Sequence, residues 1–417
     1  MGKILNAVLA GSLVVGAAGG LAAAQGNDPL AQLGSHIYKD KNLSVNKNQS
    51  CQTCHHPSAG FADPDNRLDP ENFPVSDGSN PTLFGGRNCP TAGYTGFSPV
   101  MDYDAASGLY IGGMFWDGRA TGLTLGDPIA EQALGPFLNR VEMGLSSKDE
   151  VVGIVQAANY AKLFLNVFGP GAFDDVDAAF NNIGRAIAAH ERSNEVVRFN
   201  SKFDKFWQEQ GKTVAAFGTD GGGSYSPLPA DFNSNVYTRQ EAEGLALFNA
   251  VDKGNCAACH LTSNYDANTP PLLTDFTYDN LGIPVNPRIA ELAGAQPTDY
   301  GLGARTAELS EVNASVTFEQ YYSGTPDGGN ILVVVSEIGK FKVPTLRNIE
   351  KTPPYGHNGY FATLETITHF YNSRDVAAEG WPEPEVAENV NTTELGNLNL
   401  TPDEEAAIVA FMKTLTD

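Results

Sequence analysis

Cys51-Gln52-Thr53-Cys54-His55 and Cys256-Ala257-Ala258-Cys259-His260 are two copies of the pattern Cys-x-x-Cys-His. Two thiols three residues apart can each add to a vinyl group of one haem, and the adjacent His can then bind the iron. The chain has only five cysteines, so chance is a poor explanation for two such copies. The sequence therefore predicts two covalently bound haem c groups, each with two thioether links and one His ligand to iron.

Two other uses of Cys-x-x-Cys fit this chain less well. Structural zinc sites usually bring both cysteine pairs together within a short segment, and here about two hundred residues separate them. A thioredoxin-like redox pair does not need His directly after the second Cys. Cys89 is the fifth cysteine and has no remaining partner for an intramolecular disulfide, so we expect it to be a small buried side chain.

Residues 1–24 have the composition of a secretory signal. Lys3 precedes an apolar run, and Ala22-Ala23-Ala24 precedes Gln25, where we expect cleavage. The run is too short and too rich in Gly and Ala to predict a membrane span, so we expect no integral membrane protein. Attachment of haem c takes place outside the cytoplasm in bacteria. The predicted location is therefore the periplasm, with the outer cell surface as the alternative.

The composition is strongly acidic. The 417 residues carry a formal charge of −23, and this becomes −24 when Lys3 leaves with the signal. Nothing in the chain resembles a basic stripe, which argues against nucleic-acid binding. An acidic surface either steers a basic protein partner or only keeps the protein solvated.

A Gly/Ser/Pro-rich segment divides the chain into two halves, each with one haem motif. It begins at Gly218-Thr219-Asp220-Gly221-Gly222-Gly223 and interrupts any regular structure. The length allows two or three domains. We predict a signal peptide at 1–24, an N-terminal haem domain at 25–217, a linker at 218–235 and a C-terminal haem domain at 236–417.

The hydrophobic pattern favours a mostly α fold with two cytochrome c-like haem domains and long loops. Apolar periodicity predicts a helix over 175–208, and Thr238 to Glu241 resembles a capping box that opens another. A last helix is predicted from Thr401 and Pro402. Strand-like runs are few, and Ile331–Val335 is the best of them. The halves resemble a duplicated unit, although the repeat outside the haem motifs is weak.

The second axial ligands decide the function. Electron carriers usually fill both axial positions of the iron, whereas peroxide chemistry needs an open face with acid/base groups beside it. The chain has five Met residues, and none lies between the second haem motif and the last helix. An ordinary His/Met site in the second half would therefore need Met412 or a residue from the first half.

Several motifs, in order, resemble the di-haem bacterial cytochrome c peroxidases and their relative MauG. The resemblance extends over most of the chain after the signal. It rests on Gly86-Arg87-Asn88, Phe115-Trp116-Asp117-Gly118-Arg119-Ala120, Gln132 to Glu142-Met143-Gly144, Phe341 to Arg347-Asn348, Thr352-Pro353-Pro354-Tyr355-Gly356-His357-Asn358-Gly359 and Thr363-Leu364-Glu365.

The resemblance implies that the first haem reacts with peroxide. Its distal pocket would hold Gln132, Pro136 and Glu142, and Glu142 would move a proton between the peroxide oxygens. Family members often carry a His, in the loop before Gly-Arg-Asn, that blocks this iron until reduction. The corresponding loop here, Ser76–Thr82, has no His. We therefore expect an iron that needs no reductive opening.

For the second haem, the resemblance places the distal ligand at Tyr371. Cytochrome c peroxidases of this family carry Met there, whereas MauG-like enzymes carry Tyr. An anionic oxygen ligand favours ferric and higher-valent iron, which would help this haem to store an oxidising equivalent. His369 is the competing ligand, and Tyr371 could instead be an aromatic core residue.

The resemblance also implies a bridging residue and a cation. Trp116 would relay the electron hole between the two haems. A calcium ion would be held by Asn88 and by the carbonyl oxygens of Thr352 and Pro354, consistent with a hard cation. No Trp precedes the second haem motif, where MauG has one that passes holes to its protein substrate, so another exit route is expected.

Three functions remain open at this point. The first is an enzyme that uses hydrogen peroxide to form a bis-Fe(IV)-type state and then oxidises Trp or Tyr side chains of a partner protein. The second is a cytochrome c peroxidase that takes electrons from a small redox protein. The third is an electron carrier, which the Gln132 and Glu142 pair disfavours. Tyr371 favours the first function.

Overall fold

The computed structural model describes residues 28–322 and 330–417. The predicted signal at residues 1–24 lies outside the described residues. Thirteen α-helices occur within the described ranges: α1 Pro29–Tyr38, α2 Cys51–Cys54, α3 Pro64–Leu68, α4 Pro128–Leu138, α5 Lys148–Ala157, α6 Ala161–Phe168, α7 Val176–Glu191, α8 Lys202–Glu209, α9 Arg239–Asn249, α10 Pro287–Ala293, α11 Thr306–Val312, α12 Leu364–Ser373 and α13 Pro402–Lys413.

The strands are short and form three antiparallel pairs within the same ranges. Tyr103 lies opposite Tyr110 in the first pair, and Tyr278 lies opposite Lys342 in the second. The paired strands are β1 Asp102–Asp104 with β2 Leu109–Ile111, β3 Tyr278–Asp279 with β6 Phe341–Lys342, and β4 Glu319–Tyr322 with β5 Asn330–Val333. Helices supply the main packing surfaces, as the sequence predicted.

The first-half core forms where α1 and α4 pack on α7. Leu33, Phe137 and Ile183 are fully buried there. Helices α1 and α7 approach very closely, since a Cβ added to Gly34 would lie 1.8 Å from the Ala186 carbonyl oxygen. A glycine is therefore required at this crossing.

The second half repeats this crossing with α9 and α13. A Cβ added to Gly244 would lie 1.9 Å from the Ala407 carbonyl oxygen. In each half, the glycine sits on the helix before the haem motif and the alanine sits on a later helix. The two crossings support the duplication that the sequence pattern alone left weak.

The single helix predicted over 175–208 is two helices, α7 and α8, so the prediction was wrong for the residues between them. Helix α7 ends at Glu191, and the Ser193 hydroxyl then accepts a hydrogen bond from the Glu195 amide at 3.3 Å. Such local bonding competes with a helix. Helix α8 starts again with a capping box formed by Ser201 and Asp204.

Other local predictions hold with small shifts. The capping box at Thr238 is present, and the last helix starts at Pro402, after Thr401. The strand expected at Ile331–Val335 runs over Asn330–Val333. Residues 218–235 contain neither a helix nor a strand, but the preceding α8 packs in the second-half core through Phe203 and Phe206. The domain limits stay a prediction.

No single helix in the described ranges is both long and apolar enough to span a bilayer. Helices α5 and α6, bent by 105° relative to each other, would pass that test as a pair on length and composition only.

Candidate functional site: two clefts with Cys-x-x-Cys-His walls

Two clefts contain the two haem motifs. The first is lined by Cys51, Cys54 and His55, and the second by Cys256, Cys259 and His260. In the first, α2 is opened by a capping box between Ser50 and Thr53. The second motif begins at Asn255, whose φ of +50° turns the chain into the cleft.

The two His side chains are held in the same way. The Nδ1 atom of His55 lies 3.0 Å from the Phe61 carbonyl oxygen, and that of His260 lies 2.9 Å from the Leu273 carbonyl oxygen. Burial lowers the pKa of both, that of His260 to about 4. A neutral imidazole with Nδ1 bonded to a carbonyl leaves Nε2 as the metal-binding atom.

The wall facing the first motif contains the three predicted distal residues. Gln132 and Pro136 lie on α4, and Glu142 lies in the loop that follows. The Asn139 amide donates to Glu142 Oε1 at 2.7 Å. Burial raises the pKa of Glu142, and the Asn139 hydrogen bond and the Arg119 charge only partly oppose this. A raised pKa brings a carboxyl group closer to the range in which it can both give and take a proton.

The loop without His packs against this wall. The Ser79 amide donates to the Glu142 carbonyl oxygen at 2.7 Å. A Cβ added to Gly78 would lie 2.7 Å from the Val141 carbonyl oxygen, so the two loops are in close contact. Ser76 and Asp77 are the members of Ser76–Thr82 that line the cleft. The loop therefore brings no nitrogen ligand to the first cleft.

A buried ion cluster forms another part of the first cleft, which sequence reasoning missed. Asp117 is fully buried, and three guanidinium groups lie 2.7 to 2.9 Å from its carboxylate: those of Arg87, Arg119 and Arg305. Arg87 also binds Asp299 through two bonds of 2.6 and 2.7 Å. The cluster carries one more positive than negative charge and therefore favours an anionic group. Arg305 and Asp299 come from distant segments without a sequence signal.

Glu191 is a second residue that the sequence did not reveal. It ends α7, is 5% exposed and lines the first cleft. Burial raises its pKa to about 8, which Arg192 lowers and Asp127 raises. Within the described residues, no hydrogen bond or ion pair engages its carboxyl group. In the sequence, Glu191 is one polar residue among several near the end of a predicted helix, so nothing singled it out.

The second cleft has an apolar wall with one phenol. Helix α12 contributes Leu364, Ile367, Thr368 and Tyr371 to this wall. Burial raises the pKa of the Tyr371 hydroxyl, with the nearby Cys259 thiol as the next cause. No described residue hydrogen-bonds to this hydroxyl, so its oxygen is free for a ligand bound in the cleft.

The competing ligands sit differently. The His369 side chain is 41% exposed and pairs with Glu405 at 3.0 Å and Glu379 at 3.3 Å, outside the cleft. Met412 does line the cleft, but it is already buried in the α13 core. A thioether can be buried without a hydrogen-bond partner, whereas a phenol cannot without cost. The geometry therefore favours Tyr371 over both.

Cys259 also lies near two carboxylates. Its sulfur and the oxygens of Asp279 and Glu394 lie within 4.8 Å of one another, a spacing that could hold a metal ion. Asn391 donates to both carboxylates at 2.7 Å. The Cys259 sulfur is needed for the predicted thioether, so the group is more simply a polar edge of the second cleft.

Trp116 lies in the wall shared by the two clefts. It lines both, and its Nε1–H donates to the Asn88 carbonyl oxygen at 2.9 Å. His357 also lines both clefts and stacks on Phe341 with ring centroids 3.5 Å apart. Trp116 therefore borders both clefts, and its bridging role stays a prediction.

The predicted calcium ligands are partly brought together. The Asn88 side-chain amide lies 2.7 Å from the Pro354 carbonyl oxygen as a hydrogen bond. Rotating that amide by 180° would present Oδ1 beside the Pro354 oxygen, as a cation would require. Thr352 and Pro354 both line the second cleft. Calcium binding stays a prediction.

The clefts fit haem on chemical grounds. Each offers two thiols and an Nε2 atom, and the buried Nε2 of His357 has no hydrogen-bond partner in the described chain. The arginine excess in the first cleft suits carboxylate groups of a porphyrin. Cys51, Cys54 and His55 would hold one haem, and Cys256, Cys259 and His260 the other.

Comparisons with known proteins agree with this geometry. Residues 28–212 match the family described as di-haem cytochrome c peroxidase. The methylamine utilization protein MauG of Paracoccus denitrificans is 34% identical, covering 94% of this chain and 89% of MauG. The diheme peroxidase BthA of Burkholderia thailandensis has 27% identity and a TM-score of 0.70, covering 94% and 86% of the two chains.

A third relative is a MauG-like protein associated with microbial copper homeostasis. It has 25% identity and a TM-score of 0.57, with 94% of this chain and 90% of that chain covered. Since full-length similarity to MauG accompanies two Cys-x-x-Cys-His clefts, the chain is an oxidoreductase that belongs to the di-haem cytochrome c peroxidase and MauG family.

Proposed function

We propose that this protein is a hydrogen-peroxide-dependent di-haem enzyme that oxidises Trp or Tyr side chains of a partner protein. One observation carries the proposal. Tyr371 lines the second cleft with a hydroxyl that has no hydrogen-bond partner among the described residues. A phenolate oxygen stabilises oxidised iron, so the second site would suit storage of oxidising power better than ordinary electron transfer.

When bound, the two haems would supply the iron at which peroxide is reduced and would hold its two oxidising equivalents. The protein side chains would handle the proton. Glu142, with its raised pKa and its Asn139 hydrogen bond, would take a proton from one peroxide oxygen and return it to the other. The Gln132 amide would orient the peroxide, and Pro136, which has no N–H, would keep a competing donor away.

Trp116 would connect the two sites electronically. Its ring lies in the shared wall, and the hydrogen bond to the Asn88 carbonyl fixes its orientation. Asn88, Thr352 and Pro354 would hold calcium, and the ion would stiffen the wall that contains Asn88. We further propose export to the periplasm and a protein substrate there, on the strength of the signal-like residues 1–24.

The second candidate is a cytochrome c peroxidase that reduces hydrogen peroxide with electrons from a small redox protein. The name of the similar BthA, a diheme peroxidase, favours it. The two candidates differ in whether the enzyme must be half-reduced before it reacts. The loop Ser76–Thr82, without His, favours the enzyme that needs no reduction.

The decisive experiment adds hydrogen peroxide to the diferric holoprotein and follows the haem absorption. We expect an oxidised state two equivalents above diferric, with no prior reduction, and a marked loss of its lifetime in Tyr371→Phe. Trp116→Phe should impair charge sharing while haem content stays normal. Tyr225→Phe, a half-buried Tyr outside both cleft walls, serves as the control.

The opposite result is equally clear. If the diferric protein is inert to peroxide and reacts only after a cytochrome or copper protein has half-reduced it, the peroxidase function replaces the protein-oxidising one. A structure with Met412 or His369 on the second iron would argue in the same direction.

A further inference from the structure

A row of four aromatic side chains runs from a buried tyrosine to the surface. The ring centroids of Tyr94 and Phe199 are 4.9 Å apart, those of Phe199 and Phe97 are 5.9 Å apart, and those of Phe97 and Tyr265 are 5.3 Å apart. Tyr94 is 1% exposed, whereas Tyr265 is 44% exposed. The two ends of the row are oxidisable phenols.

The inner end lies close to the His loops of both clefts. The Phe61 carbonyl that binds His55 also accepts from the Ala92 amide at 2.9 Å, two residues before Tyr94. Tyr94 also packs in one cluster with Leu272, the neighbour of the Leu273 carbonyl that binds His260. Tyr94 is therefore adjacent to the segments that hold both His residues.

Tyr94 has a proton acceptor in place. Its hydroxyl donates to the Asp417 carboxylate at 2.5 Å and accepts from the Phe199 amide at 2.9 Å. A phenol loses an electron much more easily when a base takes its proton, and Asp417 is such a base. Tyr265 is partly in contact with solvent, which can take its proton.

The backbone supports a fixed placement of these rings. Tyr94 has a φ of +64° and Phe199 a φ of +49°, in the left-handed region that bulky residues rarely adopt. Such conformations persist only where the surroundings impose them, and they cluster at functional sites. The Arg347 guanidinium, 5.0 Å from the Phe199 ring and 5.4 Å from the Tyr94 ring, packs against the row.

We propose that this aromatic row carries oxidising equivalents from the clefts to Tyr265, where the partner's side chain is oxidised. The proposal rests on the proposed function, which supplies the peroxide-derived oxidant. It provides the exit that a Trp before the second haem motif would otherwise supply, since that segment here reads Lys253-Gly254-Asn255.

The electrons and protons balance. Tyr94 gives one electron towards the clefts and its phenolic proton to Asp417, then regains an electron from Tyr265 and the proton from Asp417. Tyr265 releases its own proton to solvent and regains an electron and a proton from the partner's Trp or Tyr. Two such passes match the two electrons that reduce one hydrogen peroxide to water.

The test treats the diferric holoprotein with hydrogen peroxide and a nitroso spin trap, without a partner, and maps the adducts by peptide mass spectrometry. Haem absorption is followed in the same samples, so that each variant is first seen to form the oxidised state. In the wild type we expect the adduct on Tyr265. In Tyr265→Phe this adduct should be lost, and the oxidised state of the haems should live longer. Tyr225→Phe is the control and should keep the Tyr265 adduct.

Two further variants test the inner end. Tyr94→Phe should greatly reduce the Tyr265 adduct. Asp417→Asn keeps a hydrogen-bonding side chain but removes the base, and should lower the adduct yield about ten-fold, equivalent to an added barrier of about 1.4 kcal/mol. This variant also guards against a folding defect in Tyr94→Phe.

The outcomes separate the two proposals. Suppose that peroxide oxidises the haems but the adduct forms on Trp381 or Tyr103. The route through the aromatic row is then wrong, while the proposed function stands. The same holds if the Tyr265 adduct is undiminished in both Tyr94→Phe and Asp417→Asn. If peroxide fails to oxidise the diferric haems at all, both are overturned.

Discussion

The two clefts are alike on the wall that carries the His residue and differ on the opposite wall. On the His side they match, since each His binds a backbone carbonyl through Nδ1 at about the same distance. On the opposite side, the first cleft has Gln132, Glu142 and an arginine-rich ion cluster, whereas the second has the apolar face of α12 and Tyr371. If the two halves come from one duplicated unit, the His side has stayed the same and the opposite wall has changed.

In the proposed function, this difference separates two chemical tasks. Proton transfer to and from peroxide needs titratable groups, and the first cleft has them. Holding an oxidising equivalent needs an electron-rich ligand and exclusion of water, and the second cleft offers a phenol on an apolar wall. Trp116 lines both clefts, and in the proposed function it would connect them.

The largest expected effect concerns the acid/base group of the first cleft. Glu142→Gln keeps the size and the Asn139 contact but cannot exchange a proton. The rate of the peroxide reaction should fall by about 10² to 10⁴, as for other general acid/base groups. Stopped-flow absorption on holoprotein measures it, with Glu71→Gln at an exposed position as the control. An unchanged rate would show that Glu142 takes no part in the reaction. The proposed chemical contrast between the two clefts would then fail as well.

The next effect concerns the ion cluster around Asp117, whose three arginines line the first cleft. Asp117→Asn leaves three guanidinium groups around a neutral side chain. Removing one partner of a buried pair costs about 3 to 5 kcal/mol, so chemical denaturation should show a loss of that order. Asp177→Asn, which removes the exposed partner of Lys148, should cost less than about 1 kcal/mol. Equal losses would show that the cluster is solvated like a surface pair.

A smaller effect should appear in the pH dependence of stability. The folded pKa of Glu191, about 8, lies above its ordinary value, so the folded state binds the extra proton. Stability from this group is complete below the ordinary pKa of Glu and is lost as pH rises towards 8. The slope is up to about 1.4 kcal/mol per pH unit.

Glu191→Gln should remove this slope and should melt at a higher temperature than the wild type above pH 8. Thermal unfolding of both proteins between pH 5 and pH 9 makes the comparison. Parallel melting curves at every pH would contradict a protonated Glu191 in the first cleft.

The sequence predicted the two haem motifs and, through the resemblance, the residues that the structure brings to the cleft walls. Contiguous patterns such as Cys-x-x-Cys-His, the capping box at Thr238 and the helix start at Pro402 depend on neighbours in the chain, so they are visible in one sequence. Asp299 and Arg305 were missed because they reach Asp117 only through the tertiary fold. The break after Glu191 was missed because Ser193 ends the helix through a local hydrogen bond that apolar periodicity does not show.

The smallest predicted effect tests whether helix α12 positions Tyr371. The Thr363 side chain accepts from the Thr366 amide at 3.1 Å and caps this helix. Thr363→Ala should cost about 1 kcal/mol, typical for a lost N-cap. Because α12 belongs to the second cleft alone, the absorption and magnetic resonance signals of the second haem should broaden or shift while those of the first haem stay unchanged. Thr363→Ser keeps the capping oxygen and should behave as the wild type. A change at both haems, or only at the first, would contradict the assignment of Tyr371 to the second site, since the disturbance begins eight residues from it on the same helix.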